Sequence, residues 1–315
     1  MRTHQFAPFQ RQQGFSLVEL MVSLVLGGLI IAAVGTVYLG SRQSFRTQDA
    51  MARMQEGARY AFEALSVDLR QVGFGCAAVN AGAVDETAGG WYKNLFTGPL
   101  RGYKEGSGSP YAAVDVDDTD AIWILRADKA NETVITAPGT TNAAHGISAN
   151  GLLVVSDVYS DASVYVASAA SGTSYTLGAG TMCTTGLVPD SAGFHVLPLS
   201  AHFYYIRNNP SGEPSLYRET LLADGTTQAQ ELVEGVEDME IFYGEDITPG
   251  AFAECPEDSC SADVYVDADG VTNWNRVVAV RPTLNMRSPE TNVGTGGDGR
   301  LHKSFTTTIA VRNRL

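Results

Sequence analysis

Basic side chains are scarce in this sequence relative to acidic ones. Lys and Arg number 21 against 35 Asp and Glu, a net charge of −14 over 315 residues. Phosphate binding needs clustered Lys and Arg, and no such cluster is present, which disfavours nucleic acid as a partner. The acidity reads as a solvated surface. Histidine is also sparse: His145, His195, His202 and His302 are scattered without HExxH spacing, and no GxSxG elbow accompanies any serine. They read as surface or satisfied strand histidines, and no catalytic residue is assigned. The chain is expected not to be an enzyme.

Cysteine is limited to Cys76, Cys183, Cys255 and Cys260. "CPEDSC" lacks CxxC spacing and a nearby histidine pair, which argues against zinc. Two acidic stretches, "DVDDTD" at 115–120 and "DVYVDADG" at 263–270, invite calcium. Neither has the ordered spacing and terminal glutamate of an EF-hand, so both read as solvated turns, and Asp120 reads as the lead-in to a core strand. "GTGGDG" at 294–299 formally matches G-x-G-x-x-G, but a strand-like stretch follows it where a dinucleotide site needs a helix. It reads as a hairpin connection. No metal and no cofactor are expected.

What the sequence does have is one long apolar run, "GFSLVELMVSLVLGGLIIAAVGTVYLG" from Gly14. Residues 20–41 carry no formal charge, and 22 residues at about 1.5 Å each span roughly 30 Å of hydrocarbon. Arg2 and Arg11 precede the run and favour a cytoplasmic N-terminus. Glu19 is the anomaly, because a charge at the centre of a membrane helix costs roughly 2.5–3.5 kcal/mol. Such a residue normally marks a partner. If the run spans with its N-terminus inside, the cysteines face an oxidising compartment and read as two disulfides. Three connectivities are open; the short "PEDS" spacer suits a local Cys255–Cys260 bridge, which leaves Cys76 with Cys183.

Apolar periodicity continues past the run. Met54, Ala58, Ala61, Phe62, Leu65, Leu69 and Val72 recur at three- and four-residue intervals, one face of an amphipathic helix that Gly73 stops. A helix from Phe15 to Val72 is expected, about 87 Å long at about 1.5 Å per residue. Beyond it, short Val-, Ile-, Tyr- and Thr-rich runs alternate with turn residues. Strands are expected near 121–126, 152–158, 164–169, 201–207, 215–220, 238–243, 276–287 and 304–312. Residues 77–120 show a weak, glycine-rich pattern that reads as an extended surface region. The fold class is α+β: one long helix, its first half transmembrane, packed on antiparallel sheet, with a β-rich insertion between about 75 and 200.

"GFSLVEL" followed by the apolar helix resembles the class III leader of type IV pilins and type II secretion pseudopilins. "LVEGVEDMEIFYG" at 232–244, "VVAVRPTLNMRSPE" at 277–290 and "FTTTIAVRNRL" resemble the PilW family of minor type IV pilins. The pseudopilin GspJ shares part of this layout, but the "RNR" stretch leans towards PilW. The resemblance implies cleavage after Gly14 by prepilin peptidase, N-methylation of Phe15, and a Glu19 carboxylate that pairs with a neighbouring subunit's new amine in the filament. It implies a leader at 1–14, a membrane and filament-core helix at 15–41, its amphipathic half at 42–73 and a periplasmic β-rich domain at 74–315. The partners implied are other minor pilins, the major pilin, the motor ATPase and the inner-membrane assembly platform. It also implies an inner-membrane precursor that later reaches the pilus, where it starts assembly and stays at or near the tip. Residues 77–200 match nothing recognisable. A periplasmic enzyme or receptor on an uncleaved signal anchor is the contrasting reading, and the leader argues against it.

Overall fold

The computed structural model describes residues 14–74, 99–106, 119–157, 162–182, 190–222, 224, 226–248, 261–294 and 297–311. The chain divides into two units, 1–49 and 50–315. Helix α1, Leu17–Arg70, contributes to both. It ends two residues before the expected Val72, in a turn that places Gly73 at φ +75°, a left-handed conformation that glycine adopts without strain.

In the second unit the strands are β1 Leu100–Tyr103, β2 Ala121–Ala127, β3 Thr133–Ala137, β4 Thr140–Thr141, β5 Leu152–Ser156, β6 Ala162–Ser171, β7 Ser174–Met182 and β8 His195–Asn208. There follow β9 Pro214–Leu221, β10 Thr227–Glu234, β11 Val236–Glu245, β12 Val264–Val266, β13 Val277–Arg287, β14 His302–Thr306 and β15 Ile309–Ala310. Every pairing is antiparallel. They form a ten-stranded sheet organised on β8, and a five-stranded sheet ordered β12–β11–β13–β14 with β15 also on β13.

Side chains alternating along β2 and β8 build two cores from one sheet. Ile122, Ile124, Tyr204 and Ile206 face the helix stripe of Met54, Ala58, Ala61, Leu65 and Leu69, together with Val280, Leu284 and Met286 of the second sheet. Trp123, Leu125, Phe203 and Tyr205 face the other way, onto Leu152, Val154 and Val164. The expected insertion is a closed ring: β8 pairs β3, and β4, β7, β6 and β5 follow in order before β5 pairs β8 again. Its interior holds Ile135, Leu153, Val155, Tyr165, Tyr175 and Val196.

Three expectations change. Residues 77–120 are not simply extended surface, because Leu100 and Tyr103 of β1 are buried and pair with β2. The strand expected over 304–312 is interrupted at Thr307 and Thr308. Opposite the break lies Pro282, which lacks an N–H and so cannot donate to a ladder. Its carbonyl accepts the Thr307 N–H at 3.3 Å. His145 is fully buried in a loop rather than on a strand, with its ring nitrogens 3.1 Å from the Ser174 carbonyl and the Ile147 N–H.

Candidate assembly helix and its docking on the sheet

Among the described residues of the first unit, the large apolar side chains of α1 are exposed. Phe15 is 81% exposed, and Leu17, Met21, Leu24, Val25, Ile30, Ile31 and Leu39 are likewise open. This stretch is long and apolar enough to cross a membrane. Two of its hydroxyls bond within the helix: Ser23 Oγ donates to the Glu19 carbonyl at 2.7 Å and Thr36 Oγ1 to the Ala33 carbonyl at 2.8 Å. That is the condition an apolar solvent imposes on polar groups. Glu19 lies in the first helical turn, where the helix dipole favours negative charge. Gly14 and Phe15 sit just ahead of the helix, and no atom outside their neighbourhood lies within 4 Å of a side chain built on Gly14.

In the second unit α1 is pinned at its last turn by Asp68, 2% exposed on the apolar stripe. The His202 Nδ1–H and the Tyr204 hydroxyl both donate to Asp68 Oδ2 at 2.5 Å, and Arg126 Nε lies 3.6 Å from Oδ1. Burial pushes the carboxyl pKa up, but these hydrogen bonds and the His202 and Arg126 charges outweigh it and hold the pKa below the usual value. Burial, then the Asp68 charge, pushes the Tyr204 hydroxyl far above its ordinary range. Ser200 Oγ lies 3.4 Å from His202 Nε2, so serine, histidine and aspartate stand in hydrolase order. The arrangement is a clamp instead. His202 is only 7% exposed, and the carboxylate oxygen that orients it is shared with Tyr204. The sequence did carry a signal for Asp68: a carboxylate three residues after Leu65 on an otherwise apolar stripe.

Acidic residues that suggested calcium have protein partners. Asp120 accepts the Glu105 N–H at 3.1 Å and the Ile241 N–H at 2.7 Å, tying the β1–β2 connection to β11. Asp267 accepts Lys104 Nζ at 2.7 Å and the Gly270 N–H at 3.0 Å; Asp263 accepts the Ile247 N–H at 2.9 Å. No cluster of three or more potential metal ligands occurs among the described residues. The glycine-rich motif closes the β13–β14 hairpin, with the Val293 and Gly294 N–H groups both donating to the Gly299 carbonyl at 2.9 Å. A network that sequence reasoning missed lies near it. Arg287 and Arg300 share the Glu213 carboxylate, at 2.6 and 2.8 Å, and hold its pKa below the usual range, the Arg287 hydrogen bond leading. His302 bridges Glu237 and Asp298 at 2.9 Å each. Cys76, Cys183, Cys255, Cys260, residues 1–13 and Asp115–Asp118 lie outside the described residues.

Residues 203–313 match the family model for type IV pilus-assembly protein W. Residues 9–35 match the prokaryotic N-terminal methylation motif. These two matches support a PilW-like type IV pilin. Both matches fall where the geometry is distinctive: the methylation motif runs into the exposed apolar helix, and the W-type model spans the last six residues of β8 and β9 to β15. No curated protein and no solved structure matches the chain. Pilin domains of this family are structural, and the prepilin leader with the apolar helix supports a membrane-anchored, pilus-associated protein. Membership of a pilus-assembly family implies interaction with other pilus components.

Proposed function

We propose that this pilin is a minor subunit that joins other minor pilins to prime pilus assembly and stays at or near the tip. Prepilin peptidase cuts after Gly14, Phe15 becomes the methylated N-terminus, and the Glu19 carboxylate meets a neighbouring subunit's N-terminal amine. The precursor sits in the inner membrane with its β-rich domain periplasmic, and the major pilin, motor ATPase and assembly platform act on it. One observation carries this reading. Glu19 stands alone in a stretch of helix whose large apolar side chains are exposed, inside a matched methylation motif. An unpaired carboxylate in such a helix is costly, and cleavage at Gly14 creates the cation that neutralises it.

The test is a clean deletion strain in which surface pili and secreted enzymes are counted side by side. Lost pili with normal secretion supports the reading; lost secretion with normal pili moves the chain to a type II secretion pseudopilus. Glu19→Ala is expected to be cleaved and inserted normally but to leave few pili, and full piliation would sink the pairing argument. Periplasmic placement brings with it Cys76–Cys183 and Cys255–Cys260 disulfides. The first closes a long loop and stabilises by about 2–4 kcal/mol, the short second loop by less. Thiol labelling of the unreduced protein checks this: four reactive thiols would refute it.

A further inference from the structure

A groove of about 570 Å³ lies within the second unit, between one flank of α1 and the break separating β14 from β15. Its helical wall carries Arg59 and Arg70, both exposed, and neither forms an ion pair among the described residues. Half-buried Phe62 and Phe305 line it between the walls. The opposite wall is Thr307 and Thr308, where Pro282 interrupts the ladder. Neither the N–H nor the C=O of Thr308 takes a main-chain hydrogen bond among the described residues. Among the described residues the groove thus offers two guanidiniums without an ion pair, two phenyl rings and an unused main-chain donor and acceptor at the break between two strands.

We infer that this groove docks an extended, acid-bearing segment of a neighbouring pilus subunit. The reading of the chain as a pilin supplies the neighbour; the groove supplies the chemistry. Glu63 is the one carboxylate lining it, so Arg59 and Arg70 leave a positive excess on an otherwise acidic protein, which selects a negative partner. Guanidinium prefers the planar, two-oxygen acceptor that a carboxylate presents. The free backbone pair at Thr308 suits an extended chain rather than a helix, because a helix has spent its own main-chain groups. Arg59 and Arg70 are three helical turns apart, about 16 Å at about 1.5 Å per residue. An extended chain rises about 3.3 Å per residue, so two carboxylates about four to six residues apart reach both arginines. An apolar side chain between them meets Phe62 and Phe305.

The experiment places a photo-crosslinking benzoylphenylalanine at Gln55, which also lines the groove, in the full chain expressed in its own piliated cell. Crosslinked peptides are then identified by mass spectrometry. The expected product joins position 55 to a segment of another pilus subunit with two Asp or Glu residues four to six apart. Its yield should fall at least about tenfold in Arg59→Glu/Arg70→Glu, the change expected when charge-assisted hydrogen bonds are lost. Both positions are exposed, and an unchanged melting temperature confirms that the variant folds. A product whose partner segment lacks carboxylates, a yield unaffected by the double reversal, or no subunit product at all overturns the groove inference. Pilus counts in the deletion strain judge the pilin reading separately: if pili depend on the chain while the crosslink fails, only the groove inference falls.

Discussion

Asp68 occupies a place where a helix does not ordinarily want a carboxylate. It is in the last turns of α1, where the dipole is negative, and it is buried. Two donors on β8, His202 and Tyr204, and the Arg126 guanidinium on β2 reverse that disadvantage, so the residue makes the helix's docking position specific. Removing it leaves the His202 and Arg126 groups without their counter-charge inside the fold. Asp68→Ala is expected to destabilise by about 3 kcal/mol, the lower end for breaking a buried ion pair. The pH dependence has a definite sign. The folded carboxyl ionises at lower pH than the unfolded one, near 3.9, so its contribution is complete above that value. It fades as pH falls through the folded pKa. Urea unfolding of the wild type should weaken over this acid range, and Asp68→Asn should remove that part of the slope. A parallel pH profile for the two proteins would show that Asp68 is not the linked group.

The elements that sequence patterns reveal are those with one face in a core. β9, β11 and β13 mix apolar and polar side chains because one face is packed, β2 and β8 carry near-continuous apolar runs because both faces are packed, and all five were expected, β8 only in its second half. β10 was missed because it is an edge strand paired to β9 alone. Gln228, Gln230, Glu231 and Glu234 are exposed, so nothing forces an apolar alternation on it. β7, "SYTLGAGTM", was missed for a different reason: Gly180 has to be a glycine because the Tyr165 ring lies where its side chain would be. Composition there reports close packing and looks like a loop. The groove was equally invisible, since it depends on Pro282 of one strand breaking another that lies some 25 residues away in sequence. At the helix, Gly57 shows how an element is fitted to its sheet. A methyl group at Gly57 would sit 2.9 Å from Val233 Cγ1 and 3.3 Å from Met286 Cε. Alanine gains about 1 kcal/mol of helix propensity, but overpacking typically costs about 1–3. Gly57→Ala should therefore lower stability, and adding Val233→Ala should recover part of the loss in a double-mutant cycle. Stabilisation by Gly57→Ala alone would mean that α1 is free to lift off β10 at that point.

Across the whole molecule, two kinds of stability are kept apart. Among the described residues, the buried clusters of the second unit draw on residues from 54 onwards. The helical residues of the first unit behave in the opposite way. They hold their backbone bonds internally and leave their apolar side chains to be covered by lipid or by other subunits, as surface of that size does not persist in water. If the chain leaves a bilayer for a filament as proposed, membrane residence and folding have to be separable properties of it. A chain trimmed to residues 50–315 is expected to be soluble without detergent and to unfold cooperatively. Its denaturation midpoint should match that of the β-rich unit in the full protein measured in micelles. A trimmed chain that aggregates, or that loses its near-ultraviolet signal from the buried Trp123 and Tyr204, would mean that the apolar half of α1 takes part in folding the β-rich unit. A matching midpoint assigns the apolar half to anchoring and assembly alone.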